Sequence, residues 1–488
     1  MISLDKVIDQ LLYDPKNPLL FNSGFFLYFL FAFMLIYYAV RHNHKARTFV
    51  FTVFSLYFFY KACGIYVLMI IVAAVVDYFL SNRIYRQQHQ RNKRLLLYLS
   101  IILNLGVLFY FKYTDFFIAI LNDLSFTNIS PLNLLLPIGI SFYTFENLSY
   151  TVDVYRGEIK PVKSFMDYLF FLSFFPKLMM GPIVRGADFI PQIHQPFKVV
   201  NEDFARGFYL IVAGLFKKIV ISDYINVNFV AYIFDDPSRH TGIECLFGVY
   251  AYAMVIYCDF SGYSDMAIGL AQWLGFKIPD NFRSPYQSAS ITEFWRRWHI
   301  SLSSWLKDYL YIPLGGNRKG KVRTYINLFI TMVLGGFWHG ASWNFLIWGA
   351  LHGSMLAIDK LKNTLFGESK ATGIGKVLGI LFTFHFVCFC WIFFRAETLS
   401  DSLTIIRQIF TNFNGDVFLP FVSSYANVFA LMALGYLTHF IPDGWNNKIV
   451  VQTKEWHLAY YTIVFLLFIF LCIQVKTAEQ VMPVYLQF

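Results

Sequence analysis

The sequence predicts an all-α, polytopic membrane protein, and three observations carry that prediction. Hydrophobic residues make up 57% of the 488 positions and charged residues only 14%, against about 25% charged in ordinary soluble domains. A chain so poor in polar side chains cannot coat a water-soluble body, and its mean hydropathy is +0.51. Apolar runs approaching the roughly 20 residues that carry a helix across a bilayer recur from Phe25 to near the C-terminus. The 40 Lys and Arg outnumber the 30 Asp and Glu, for a net charge of +10. They gather in short loops: Arg41, Lys45 and Arg47; Arg83, Arg86, Arg91, Lys93 and Arg94; Arg318, Lys319, Lys321 and Arg323. That is the positive-inside bias of a protein embedded in a lipid bilayer, not a nucleic-acid footprint, and it assigns these loops to the cytoplasm.

The N-terminal MISLDKVIDQLLYDPKNP opens polar and lacks the basic start and apolar core of a signal peptide. The first span therefore acts as its own insertion signal. Apolar runs that meet or approach span length fall at 25–40, 64–81, 95–111, 132–150, 205–222, 243–260, 342–358, 376–394, 418–440 and 456–474. Segments 48–62, 165–182, 262–275 and 324–338 contain Pro, Gly pairs or charges. Some of these are expected to be re-entrant pieces shielded by protein, for a total of about eleven transmembrane helices. With the first two basic loops cytoplasmic, residues 1–24 lie outside, the chain turns near Gly64 on the outer side, and 112–131 is an outer loop. The sequence contains no internal repeat or hinge-like linker, so 1–488 reads as one integral membrane domain. The six cysteines sit mostly in aromatic and aliphatic runs, which suits packing rather than a disulfide framework or a metal site.

Residues 290–311, SITEFWRRWHISLSSWLKDYLY, break the spanning pattern. Ile291, Phe294, Trp295, Trp298, Leu302, Trp305, Leu306 and Tyr309 recur at helical spacing, with Glu293, Arg296, Arg297, Ser304, Lys307 and Asp308 opposite. Ser290 and Glu293 form a capping box, and Pro313 with Gly315 and Gly316 ends the segment. The expectation is one amphipathic helix lying in the interface, with His299 on the border between its faces.

The stretch from Thr324 to Gly353 places His339 about 22 Å into the bilayer at 1.5 Å per residue, unless Gly335 and Gly336 bend the path. An ionisable side chain at that depth is by default functional, and neutral imidazole can take a proton from a hydroxyl and return one to a leaving group. Trp338, Trp343, Asn344 and nearby glycines suggest a close-packed turn around it. His352, near the expected helix end, reads as structural. Asp259 and Asp265 are intramembrane carboxylates that could line a path, and Arg185 could pair with one of them or with a donor phosphate. Glu146 and Asn147 fit either tunnel or packing roles. Ser264 is no nucleophile elbow, since Met266 stands where G-x-S-x-G needs glycine.

FWRRWHISLSSWLKDYLYIPLGGNRKG followed by GGFWHGASWNFLIWGALHG resembles the membrane-bound O-acyltransferase superfamily, in its bacterial branch of alginate and peptidoglycan O-acetyltransferase membrane subunits. LPIGISFYTFENLSYTVDVYRG, FFPKLMMGPIVR, GLFKKIVISD and YCDFSGYSDMAIGLAQWLGF extend the likeness over about 130–360. The resemblance implies spans with re-entrant and interfacial helices around a central tunnel. In it a cytoplasmic thioester donor, acetyl-CoA, would meet an acceptor from the other face. It implies His339 and His299 as the catalytic pair, with no metal and no permanently bound cofactor. Arg296, Arg297, Trp298, Trp338, Asn344, Asp265 and Arg185 are then candidates for holding substrate, the two arginines facing donor phosphates. It further implies the bacterial inner membrane, a polysaccharide acceptor and an extracytoplasmic O-acetyltransferase partner, since the chain carries no large outer domain. A D-alanyl transferase of teichoic acid and a polymer or acyl-carrier transporter are the competing readings; a transporter often shows paired half-sequences, and none is found here.

Overall fold

The computed structural model describes residues 10–124, 127–367, 372–475 and 481–484. All regular elements among them are helices. The first nine residues, part of the expected outer N-terminal segment, fall outside the described residues. Five helical runs among the described residues are long and apolar enough to cross a bilayer: His44–Arg86, Gln90–Lys112, Gly242–Trp273, Gly373–Arg395 and Leu458–Val475. A sixth is added if Gly415–Ser424 and Ala426–His439, bent by 91°, form one broken span. Other apolar runs become helices that are shorter or more polar, among them Gly24–Val40 and Lys321–His339. The outward faces are apolar: Ile102 is 66% and Phe470 63% exposed. Water does not tolerate such faces in extended patches, and lipid does.

Chain contacts define two compact units, Met1–Gly207 with Ala267–Pro279, and Phe208–Met266 with Asp280–Phe488. In the first, Gly64 interrupts the helical run with φ +62°, and a 3₁₀ turn at Gly64–Tyr66 leads into Val67–Arg86. The expected outer loop 112–131 contains a further helix, Thr114–Asp123. Segment 165–182 breaks into Phe165–Ser173 and Phe175–Leu178, as its interruptions suggested. Several buried polar groups inside the apolar body satisfy one another, since an unpaired one is costly where water is absent. The Asp77 carboxylate accepts from Asn104 Nδ2 at 2.7 Å and Thr151 Oγ1 at 3.3 Å. Asn147 donates to Asn104 and accepts from the Tyr168 hydroxyl at 2.7 Å. Glu146 pairs with Lys177 and accepts from Val184 N–H at 3.1 Å. For Glu146 and Asn147 these are the packing hydrogen bonds of the two roles considered.

In the second unit the helix Gly242–Trp273 begins, running 32 residues without a break, so 262–275 is no separate re-entrant piece. Gly262 serves close approach and not a turn: a Cβ there would lie 2.7 Å from the Gly214 carbonyl oxygen. Close approach also joins Lys321–His339 to Trp343–Phe366. A Cβ on Gly336 would meet the Phe345 oxygen at 2.3 Å, and one on Gly349 the Met332 oxygen at 2.4 Å. Small residues let backbones touch where no hydrophobic effect drives helices together. The helix runs unbroken through Gly335 and Gly336 to end at His339. The described cysteines are all free and buried.

Candidate active site

The segment 290–311 is not one helix. Ser290 caps Ile291–Arg297, accepting from Glu293 N–H at 3.1 Å, and the chain then breaks at Trp298 and His299. His299 adopts φ +43°, ψ +56°, the left-handed region, and a second helix runs Ile300–Leu306. A π-helical turn, Lys307–Tyr311, follows. This overturns the border position expected for His299: the kink turns it inward, and it is fully buried. A non-glycine residue held left-handed carries strain of order 1–3 kcal/mol, and such residues cluster at functional sites.

The loop before this segment over-determines the kink. The Asn281 carbonyl oxygen accepts from Ile300 N–H at 2.9 Å, and Arg283 N–H donates to the Arg297 carbonyl at 3.0 Å. Asn281 Oδ1 accepts from Ser301 N–H at 3.2 Å and Ser301 Oγ at 2.8 Å, and lies 3.1 Å from His299 Nδ1. Its Nδ2 donates to Ser264 Oγ at 3.2 Å. Burial pushes the His299 imidazole down to about 3, because charge is disfavoured without solvent; the ring is neutral at physiological pH.

His339, the last residue of its helix, is buried within aromatic walls. Its ring centroid lies 4.9 Å from Trp338, 5.1 Å from Trp348 and 5.2 Å from Phe394. Trp338 is also 6.5 Å from His299, so one indole neighbours both histidines. Trp348 continues the row to His352 at 4.7 Å. The structure therefore brings His299, Trp338 and His339 together, and it adds Asn281, Trp348 and Phe394, which the sequence reading missed. Asn281 sits in a loop with no periodic or motif signal, and Trp348 and Phe394 are ordinary members of apolar helices.

Other candidates have different surroundings. Trp298 is buried against Trp391 at 5.0 Å. Asn344 donates to the Ala396 carbonyl at 2.9 Å and accepts from Ser402 at 3.4 Å, bonds that tie helices. Arg297 donates to Glu293 at 2.8 Å and to the Arg283 carbonyl at 3.2 Å, whereas Arg296 is exposed. Asp265 pairs with Lys217 at 2.7 Å. Asp259 pairs with Lys218 at 2.6 Å and accepts from Val484 N–H at 2.8 Å. Arg185, a candidate partner for one of these carboxylates or for a donor phosphate, is the N-cap residue of the helix Gly186–Ile193. Among the described residues one trio could hold a metal ion, His44, Asp167 and His194. Its members are already hydrogen-bonded, His44 to His194 at 2.8 Å and His194 to Asp167 at 3.1 Å.

The profile of the MBOAT, membrane-bound O-acyltransferase family, matches residues 24–398. The chain is 37% identical over 423 residues to the peptidoglycan O-acetyltransferase of Helicobacter pylori, covering 80% of this chain and 79% of that protein. It is 39% identical over 400 residues to the probable alginate O-acetylase AlgI of Pseudomonas aeruginosa, covering 80% and 75%. The teichoic acid D-alanyltransferase of Bacillus subtilis is more distant, at 29% over 281 residues, covering 55% and 70%. With an all-helical body, apolar outward faces and a buried histidine between tryptophans, this multi-pass membrane protein belongs to the membrane-bound O-acyltransferase family.

Proposed function

We propose that this enzyme carries acetyl groups from cytoplasmic acetyl-CoA to the hydroxyls of an extracytoplasmic polysaccharide of the cell envelope or a secreted one, through an extracytoplasmic O-acetyltransferase partner. The observation that carries the reading is the site itself. His339 is 4% exposed at the end of a helix that starts in the basic loop 318–323, with a second imidazole, His299, across Trp338. Similarity to proteins named for peptidoglycan and alginate acetylation favours acetyl over D-alanyl transfer.

In the transfer step a hydroxyl gives its proton to His339 as its oxygen attacks the thioester carbonyl. The C–S bond then breaks, and the leaving coenzyme A sulfur takes that proton, so atoms and charge balance. The exposed Arg296 and the loop 318–323 provide positive charge for the donor phosphates. The two units act as one acyltransferase domain in the bacterial inner membrane, with the N-terminus outside.

Thiol release from acetyl-CoA by membranes tests the reading. His339→Ala should lower it by roughly 10²–10⁴-fold, the usual contribution of positioned proton transfer, at equal amounts of inserted protein. Activity above about a tenth of wild type would be too high for a lost proton acceptor and would overturn the assignment.

A further inference from the structure

The hydrogen bonds around Asn281 determine which nitrogen of His299 can act. A backbone N–H can only donate, so the Asn281 side-chain atom that meets Ser301 N–H at 3.2 Å is the amide oxygen. The same oxygen faces His299 Nδ1 at 3.1 Å. Two acceptors cannot bond one another, so Nδ1 carries the imidazole proton and Nε2 carries the lone pair. The backbone points the same way. His299 offers no side-chain cap to the helix Ile300–Leu306. Asn281 supplies that cap from outside, through Oδ1 to Ser301 N–H and through its own carbonyl to Ile300 N–H at 2.9 Å. These bonds hold the left-handed turn at His299 that a histidine adopts only under constraint. The donated bond to Ser264 orients the amide from its other end.

We infer that Asn281 is a positioning residue for acyl transfer: it holds His299 in the kink and as the Nδ1–H tautomer, so that Nε2 is the nitrogen that accepts a proton or hydrogen bond during the reaction. This rests on the reading that His299 takes part in transfer. An amide suits the task better than a carboxylate. It orients the ring without a negative charge, and the buried imidazole stays neutral.

The experiment measures acetyl-CoA turnover against pH for full-length protein purified in detergent, with thermal melting to confirm the folded amount. Asn281→Ala removes the orienting oxygen. It should lower kcat by about 10- to 100-fold, the range for outer-shell groups that orient an imidazole, with little change in the KM for acetyl-CoA. Asn281→Asp keeps the shape and all three accepted bonds but puts a charge beside the ring. It should remain folded and move the acid limb of the kcat profile upward by about one to three pH units, because a nearby carboxylate favours imidazolium, which has no lone pair to accept with. A purely structural asparagine would change yield or melting and leave that limb in place. An unmoved limb in a folded Asn281→Asp protein, or full kcat in Asn281→Ala, overturns the inference. Full activity of His299→Ala would instead remove the underlying reading, so the two failures are distinct.

Discussion

Trp295 donates its indole N–H to Nδ1 of His352 over 3.3 Å, joining the short helix Ile291–Arg297 to the long helix Trp343–Phe366. Indole nitrogen is only a donor, so His352 Nδ1 is the acceptor and the ring proton sits on Nε2. That bond occupies the one lone-pair nitrogen of the neutral ring. Trp295→Phe, which strands the buried His352 Nδ1 acceptor, should therefore lower stability by about 1–3 kcal/mol. His352→Leu, which strands a buried indole N–H, should lose about 1–3 kcal/mol. Thermal melting checks both, and turnover per folded molecule should persist; a folded but inactive His352→Leu protein would place this histidine in the chemistry.

Backbone and side chain make separate demands at His299. Asparagine tolerates the left-handed region and valine does not. His299→Asn should fold and lose turnover, while His299→Val should lose folded protein as well, by about 1–3 kcal/mol of added strain. Equal melting temperatures for the two variants would show that the φ of +43° is not maintained in the folded protein.

The two adjacent arginines should part company. Arg296 is exposed, so Arg296→Glu should raise the KM for acetyl-CoA, repulsion replacing attraction for phosphates, with yield unchanged. Arg297 holds Glu293 and the Arg283 carbonyl, so Arg297→Glu should cut the folded amount before it alters kinetics. Steady-state kinetics and detergent-stable yield separate the outcomes. An unchanged KM in Arg296→Glu would remove this residue from the donor entrance.

Orientation is read by single cysteines in a cysteine-free background, labelled with an impermeant thiol reagent on intact cells. Arg86→Cys and Lys319→Cys should be shielded and Asp123→Cys should react; all three positions are exposed. Lys319 is preferred to Gly320, whose φ of +89° would strain a cysteine. Labelling at Lys319 from outside would invert the donor side.

Composition and local pattern were enough for the membrane class and the helical content and singled out His339 as an intramembrane imidazole, because each depends on what one stretch of chain requires of its solvent. Apolar runs of span length need lipid, and an imidazole deep within one needs a reason to be there. The sequence also marked Gly336 as unusual, though not which backbone it admits. What periodicity could not reach was the break at Trp298 and His299. The apolar positions on either side keep a helical register, so the pattern reads as continuous. The kink comes from Asn281, Ser301 and Arg283, whose bonds close only when a distant loop is laid alongside. Likewise the lysine partners of Asp259 and Asp265 come from another helical segment entirely. Pairings between segments far apart in sequence leave no periodic trace. The tertiary structure alone decided which polar groups in this apolar chain are bound to one another and how the ring of His299 is oriented.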